Sequence, residues 1–301
     1  MKALDKIFQL FWLNTKRQDD KRIATLKTPE GVFESNNHEY LPDGHKYHKL
    51  DVYYPEGTAD RLPVIVDVHG GGWMYGDKEL NKNYCLTLAK RGNVVFNISY
   101  PLYPEITAIE QLRHVGAAMK WIYENLDNFP CDKNSICLTG DSAGGMLALY
   151  TAMLSQSEKM REIFSVPDFS LKFRAVCLTS AMSYMDDGTV VSKYTKVMLG
   201  KNYKKEKWAD YVNVDKILEL GEMIPTFMVT SSGDFLAKNQ VEKTAELFKE
   251  KGIECELMNW GKADGKELPH VFAILYPDHE PSRKTIDAML DFFRKHSTVG
   301  V

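Results

Sequence analysis

Several short runs in this chain are apolar at consecutive positions instead of alternating ones, and nothing else in the sequence restricts its fold so sharply. Residues 62–68 (LPVIVDV), 94–100 (VVFNISY), 136–139 and 224–231 read this way, and 174–179 and 253–258 add two further strands. A strand with one face in water alternates polar and apolar residues. A strand covered on both faces need not, and such cover is typical of parallel sheets. Segments of helical character separate the runs, at 81–90, 106–126, MLALYTAML, 238–251 and the C-terminal end. In 106–126, Ile109, Leu112, Val115, Met119 and Ile122 form a single apolar stripe, and Ile286, Met289, Leu290 and Phe293 do the same for the last helix. Residues 48–54 alternate and fit an edge strand closed by Pro55 and Gly57. This order predicts the α/β class, a mainly parallel, doubly wound sheet with helices on both faces.

At 301 residues with 44% hydrophobic and 26% charged residues, the chain can fill one large core, so a single domain over 1–301 is expected. Two parts stand outside the strand–helix rhythm. Residues 1–45 form an N-terminal arm, in which 7–13 reads as an amphipathic helix. Residues 183–222, rich in Lys and Tyr and without a buried strand, read as a small cap insertion. The arm is not read as a signal peptide, because Asp5 precedes its apolar core and charges follow it. No run approaches the roughly 18 apolar residues of a membrane span. A net charge of −3 argues against nucleic acid and for a small or neutral substrate. The five cysteines, Cys85, Cys131, Cys137, Cys177 and Cys255, are odd in number and include no C-x-x-C pair, so reduced thiols in a cytoplasmic protein are expected. Only proximity would favour a Cys131–Cys137 disulfide. A homodimer is left open.

Gly140-Asp141-Ser142-Ala143-Gly144 carries the strongest chemical signal. It matches G-x-S-x-G between a strand and a helix. A serine on such a sharp turn projects above the sheet, and the flanking glycines leave room for neighbouring backbone. The helix N-terminus beneath favours developing negative charge. A plain N-cap would account for Ser142 but not for the glycines on both sides of it. Ser142 is therefore the candidate nucleophile. His69-Gly70-Gly71-Gly72-Trp73 ends the first buried strand. Glycines there let backbone amides approach an oxyanion, so Gly71, Gly72 and Ala143 are the candidate donors. His69 is read as a loop brace. Trp73 and Tyr75 are candidates for the substrate pocket or, equally, for the core. Gly76 is expected to turn the chain ahead of Asp77 and Lys78, and the basic run 201–207 to be a solvated face.

The pairing of HGGGW with GDSAGG resembles the hormone-sensitive-lipase-like and bacterial esterase branch of the α/β-hydrolase fold, over roughly residues 48–297. That resemblance implies a triad in the order nucleophile, acid, histidine. Ser231-Ser232-Gly233-Asp234 resembles the family's acid loop, and Leu268-Pro269-His270-Val271-Phe272 its histidine loop. Asp234 and His270 are thus the implied acid and base, with His279 as a rival base. The activity implied is hydrolysis of small to medium acyl esters through an acyl-enzyme, with no cofactor and no metal. Amide, formamide, peptide or carbohydrate-acetyl hydrolysis on the same triad stays open, and so does a catalytically silent binding module. Two departures stand out. Pro101 occupies the place of an arginine in the family's Tyr-Arg-Leu-x-Pro-Glu segment, and the GKADGKELP loop before His270 is longer and more polar than the family's.

Overall fold

The computed structural model describes residues 2–297. Its frame is an eight-stranded sheet with the order β1-β2-β4-β3-β5-β6-β7-β8. The strands are β1 (Val32–Glu39), β2 (Lys49–Pro55), β3 (Leu62–Val68), β4 (Val94–Ile98), β5 (Cys131–Asp141), β6 (Val176–Thr179), β7 (Thr226–Ser231) and β8 (Cys255–Trp260). β1 and β4 both run antiparallel to β2. Every other neighbouring pair is parallel, which gives the α/β-hydrolase fold. β4 and β7 are buried along their whole length, as consecutive apolar residues require.

The helices are α1 (Lys2–Ile23), α2 (Lys82–Lys90), α3 (Ala108–Asn125), α4 (Ser142–Leu154), α5 (Glu158–Phe164), α6 (Val190–Met198), α7 (Val214–Ile217), α8 (Lys238–Glu250), α9 (Phe272–Leu275) and α10 (Glu280–His296). Thr107 caps α3 in a reciprocal box with Glu110. α4 is buried from Ala143 to Leu154 and has no polar face. It is the central helix, covered by the sheet beneath and by α3, α5 and the segment between β6 and β7 above. Tyr150 of α4 donates to the Tyr211 carbonyl, and Ser157 to that of Leu220, tying this segment down.

Three elements depart from the sequence reading. The edge strand is β1, not residues 48–54, and it lies inside the expected N-terminal arm. Val32–Glu39 holds two apolar residues, and a register shift between Ser35 and His38, with Asn37 at φ 62°, interrupts its alternation. β5 begins at Cys131, five residues before the predicted start. Its polar stretch is absorbed where the register against β3 shifts between Leu62 and Val64. α1 is 22 residues long, far beyond the predicted 7–13. Phe8, Trp12, Thr15, Asp19, Arg22 and Ile23 form its half-buried stripe, while Leu10, Phe11 and Leu13 face outward.

Candidate active site

The candidate side chains gather at the carboxyl ends of the central parallel strands, where α/β sheets place their sites. β5 runs into α4 through Ser142, whose φ of 51° lies in the left-handed region. A non-glycine residue holds that conformation only when its surroundings enforce it. The enforcement is backbone close packing. A Cβ on Gly140 would stand 2.5 Å from the Gly144 carbonyl oxygen, and one on Gly144 would stand 2.1 Å from that of Val68. The glycines therefore let β5, α4 and the end of β3 come together, and Ser142 is left projecting.

His270 stands between two partners. Its Nδ1 is 2.7 Å from Asp234 Oδ1 and its Nε2 is 2.9 Å from Ser142 Oγ. The carboxylate favours the tautomer with the proton on Nδ1, which leaves Nε2 free to accept the serine proton. Asp234 follows β7 and is 1% exposed. Burial alone would raise its pKa. The hydrogen bond and charge of His270, the Ala237 amide and the Ser180 hydroxyl outweigh burial and hold the carboxyl below its ordinary range. The long loop before His270 does not displace it. Ser231 Oγ donates to the Leu268 carbonyl at 2.7 Å, pinning the acid and histidine loops together. His279 instead sits ahead of α10, with its ring 4.8 Å from that of Tyr276.

The loop after β3 supplies the amide cradle. Gly71 (φ 110°) and Gly72 (φ 57°) both lie in the left-handed half of the map. Neither amide meets an acceptor among the described residues. Ala143 sits in the first turn of α4, where amide hydrogens have no intrahelical partner. This loop is braced from below. The Gly70 amide donates to Asp141 Oδ1 at 2.9 Å, and Asn81 Nδ2 bridges Asp141 and Asp67 at 2.8 and 2.9 Å. Burial first, then the neighbouring Asp141 carboxylate, pushes Asp67 up to about 8. His69 is fully buried against Tyr100, with Nδ1 2.7 Å from the Gly70 carbonyl, and burial lowers it to about 4. It stays neutral, as a brace.

Trp73 and Tyr75 divide. Trp73 is 1% exposed and belongs to the core. Tyr75 stacks on Trp12 at 5.5 Å and, with Trp12, Leu13, Lys16, Met74, Tyr103 and Pro104, lines an open groove beside the glycine loop. Two residues that the sequence did not single out close on that loop. Trp12 Nε1 donates to Tyr194 Oη at 2.9 Å, and Tyr194 donates to the Gly72 carbonyl at 2.6 Å. A Cβ on Gly72 would lie 2.2 Å from the Trp12 ring. No sequence motif marks either residue, because they come from separate helices, α1 and α6. Lys78 is buried on Asp51 at 2.8 Å, and Asp77 caps the turn after Gly76. Pro101 offers only its carbonyl, which accepts from Gln111. Lys201, Lys204, Lys205 and Lys207 are exposed. No cluster that could hold a metal occurs among the described residues.

Comparison with known proteins gives a consistent picture. Residues 50–234 match the BD-FAE family, a span that includes Ser142, the glycine loop and Asp234. Carboxylesterase NlhH of Mycobacterium tuberculosis is 31% identical over 139 residues, 45% of this chain and 44% of that protein. Versiconal hemiacetal acetate esterase of Dothistroma septosporum is 35% identical over 111 residues, 36% of this chain and 33% of that protein. The chain thus aligns with less than half the length of these curated relatives. Esterase B of Lactobacillus rhamnosis aligns almost end to end, with a TM-score of 0.92, 27% identity, and 98% and 96% of the two chains covered. A structure of that esterase inhibited by a C4-C4 tributyrin phosphonate gives the same score at 26% identity.

Proposed function

The chain belongs to the BD-FAE family of α/β-hydrolase-fold proteins, and from that premise we propose that it is a serine carboxylic ester hydrolase with Ser142 as nucleophile, His270 as base and Asp234 as orienting acid. One observation carries the reading: an unbroken chain of hydrogen bonds from Ser142 Oγ through the His270 ring to Asp234, with no bond longer than 2.9 Å. An isolated hydroxyl is a poor nucleophile, and a base at that distance activates it.

Ser142 Oγ bonds to the ester carbonyl carbon while its proton passes to His270 Nε2. The carbonyl π-electrons move to oxygen, and the oxyanion is met by the free amides of Gly71, Gly72 and Ala143. Asp234 stabilises the imidazolium without taking its proton. The C–O bond then breaks, the alcohol leaves with the proton from Nε2, and an acyl-serine remains. Water repeats the cycle, giving its proton to His270 and releasing the carboxylic acid. Short acyl groups are favoured here. The support is the tributyrin phosphonate held by the structurally similar esterase B, and the confinement of the glycine loop by Trp12 and Tyr194. A reducing, cytoplasmic setting fits five unpaired cysteines. No helix among the described residues is long and apolar enough to cross a membrane.

The test is turnover of p-nitrophenyl esters of graded chain length. Acetate to hexanoate esters should be hydrolysed, and Ser142→Ala should lower kcat by about 10⁴-fold or more. Turnover that survives this substitution would refute the assignment.

A further inference from the structure

The segment after β6 touches all three loops that carry the proposed triad. The Met182 amide donates to the Ser142 carbonyl at 3.1 Å. Ala181 packs where a Cβ on Gly145 would lie, 2.7 Å away. Ser180 faces the other two loops. Its backbone amide donates to the Val229 carbonyl of β7 at 2.8 Å, and its Oγ accepts the Val271 amide at 3.3 Å. The same hydroxyl is among the groups that hold the Asp234 carboxyl below its ordinary range.

This serine is held in an unfavourable shape. Ser180 has φ 51° and is 1% exposed, and Val271, directly after His270, has φ 50°. A β-branched residue avoids that region, so the Val271 bend must be held by its surroundings. The amide accepted by Ser180 belongs to that same strained residue. One hydroxyl therefore clamps the bend that aims the His270 ring, while the backbone of the same residue pairs with the strand that leads to Asp234. Thr230 donates to Asp234 Oδ2 at 3.3 Å but reaches neither His270 nor Val271.

We infer that Ser180 is a positioning residue for the triad, holding the histidine loop against the sheet through a hydroxyl that accepts the Val271 amide and a backbone amide bonded to Val229 of β7, the strand that leads to Asp234. The inference rests on the triad reading above. Removing the hydroxyl leaves the buried Val271 amide without its acceptor and should cost about 10-fold in rate. The loss should fall on kcat, with KM within about twofold, since Ser180 has no path to bound substrate.

Ser180→Ala and Ser180→Gly separate the hydroxyl from the backbone. Glycine relieves the left-handed conformation and alanine does not, yet both remove the hydroxyl. Positioning by the hydroxyl predicts that both variants lose kcat on p-nitrophenyl butyrate. If Ser180→Gly retains wild-type kcat, backbone strain alone explains the residue and the inference is overturned. A second readout needs no substrate. The downfield proton resonance of His270 Nδ1–H, identified by its loss in His270→Gln, should broaden or shift in both Ser180 variants. An unchanged resonance in folded variants would also overturn the inference, even if the wild-type protein hydrolysed no ester. Loss of ester turnover in the wild type alone would count against the ester reading and leave this spectroscopic result decisive for Ser180.

Discussion

Asp67→Asn should flatten the protein's loss of stability toward alkaline pH. Asp67 lies on β3, 1% exposed, with Asn81 donating to Oδ2 and no donor at Oδ1 among the described residues. Burial and the Asp141 carboxylate push it up to about 8 from an ordinary 3.8. A carboxyl raised by folding holds its proton where the unfolded chain has lost it. Its stabilising contribution is complete below about pH 3.8 and drains away as pH climbs to about 8, at up to roughly 1.4 kcal/mol per pH unit. His69 and His114, both lowered to about 4 by burial, act in the opposite direction between about pH 4 and 6.5. The carboxyl is therefore best read from pH 6.5 to 8, where linkage predicts a loss of about 2 kcal/mol. For 301 residues, the unfolding entropy is roughly 0.6 kcal/mol/K, so Tm should fall by about 3 °C across that window in the wild type. Asparagine keeps an acceptor for Asn81 and cannot ionise. The measurement is calorimetric Tm for both proteins at pH 6.5, 7, 7.5 and 8 at constant ionic strength. Equal slopes in the two proteins would show that Asp67 is already ionised in the fold and would sink the reasoning.

Two further substitutions probe the loops around Ser142. Gly144→Ala places a Cβ against two backbone oxygens, at 2.1 and 2.2 Å, that no side-chain rotation can move. It should cost about 3 kcal/mol or more, or about 5 °C in Tm, and a variant melting with the wild type would contradict the close packing. Tyr194→Phe removes the donor to the Gly72 carbonyl and the acceptor for Trp12, so stability should drop by about 1–2 kcal/mol and kcat/KM by about tenfold. Wild-type values on both counts would mean that α1 and α6 do not steady the glycine loop.

The legible part of this protein was local in character. G-x-S-x-G says where a chain must turn sharply between strand and helix, because only glycine tolerates the contacts that Gly140 and Gly144 make. The runs of β4 and β7 announce burial on both faces by themselves. β1 was not legible in this way, since an antiparallel edge strand needs little apolar content and this one is bent at Asn37. The polar start of β5 hid for a related reason. Asp132 and Asn134 fall where the register against β3 jumps from Cys131 to Ile136, so the strand carries polar residues that a pattern of side chains assigns to a loop.

What the amino-acid order determined unaided was the strand–helix alternation, the sharp turn at Ser142 and the glycine loop, because each depends on the conformational allowance of a few adjacent residues. Which distant groups meet was decided by folding. The 2.9 Å between His270 and Ser142, the hold of the Ser180 hydroxyl on the Val271 amide and the closure of Trp12 and Tyr194 over Gly72 join residues far apart along the chain. Such pairings follow from how the sheet twists and stacks its loops, a property of the whole packed core and not of any segment within it.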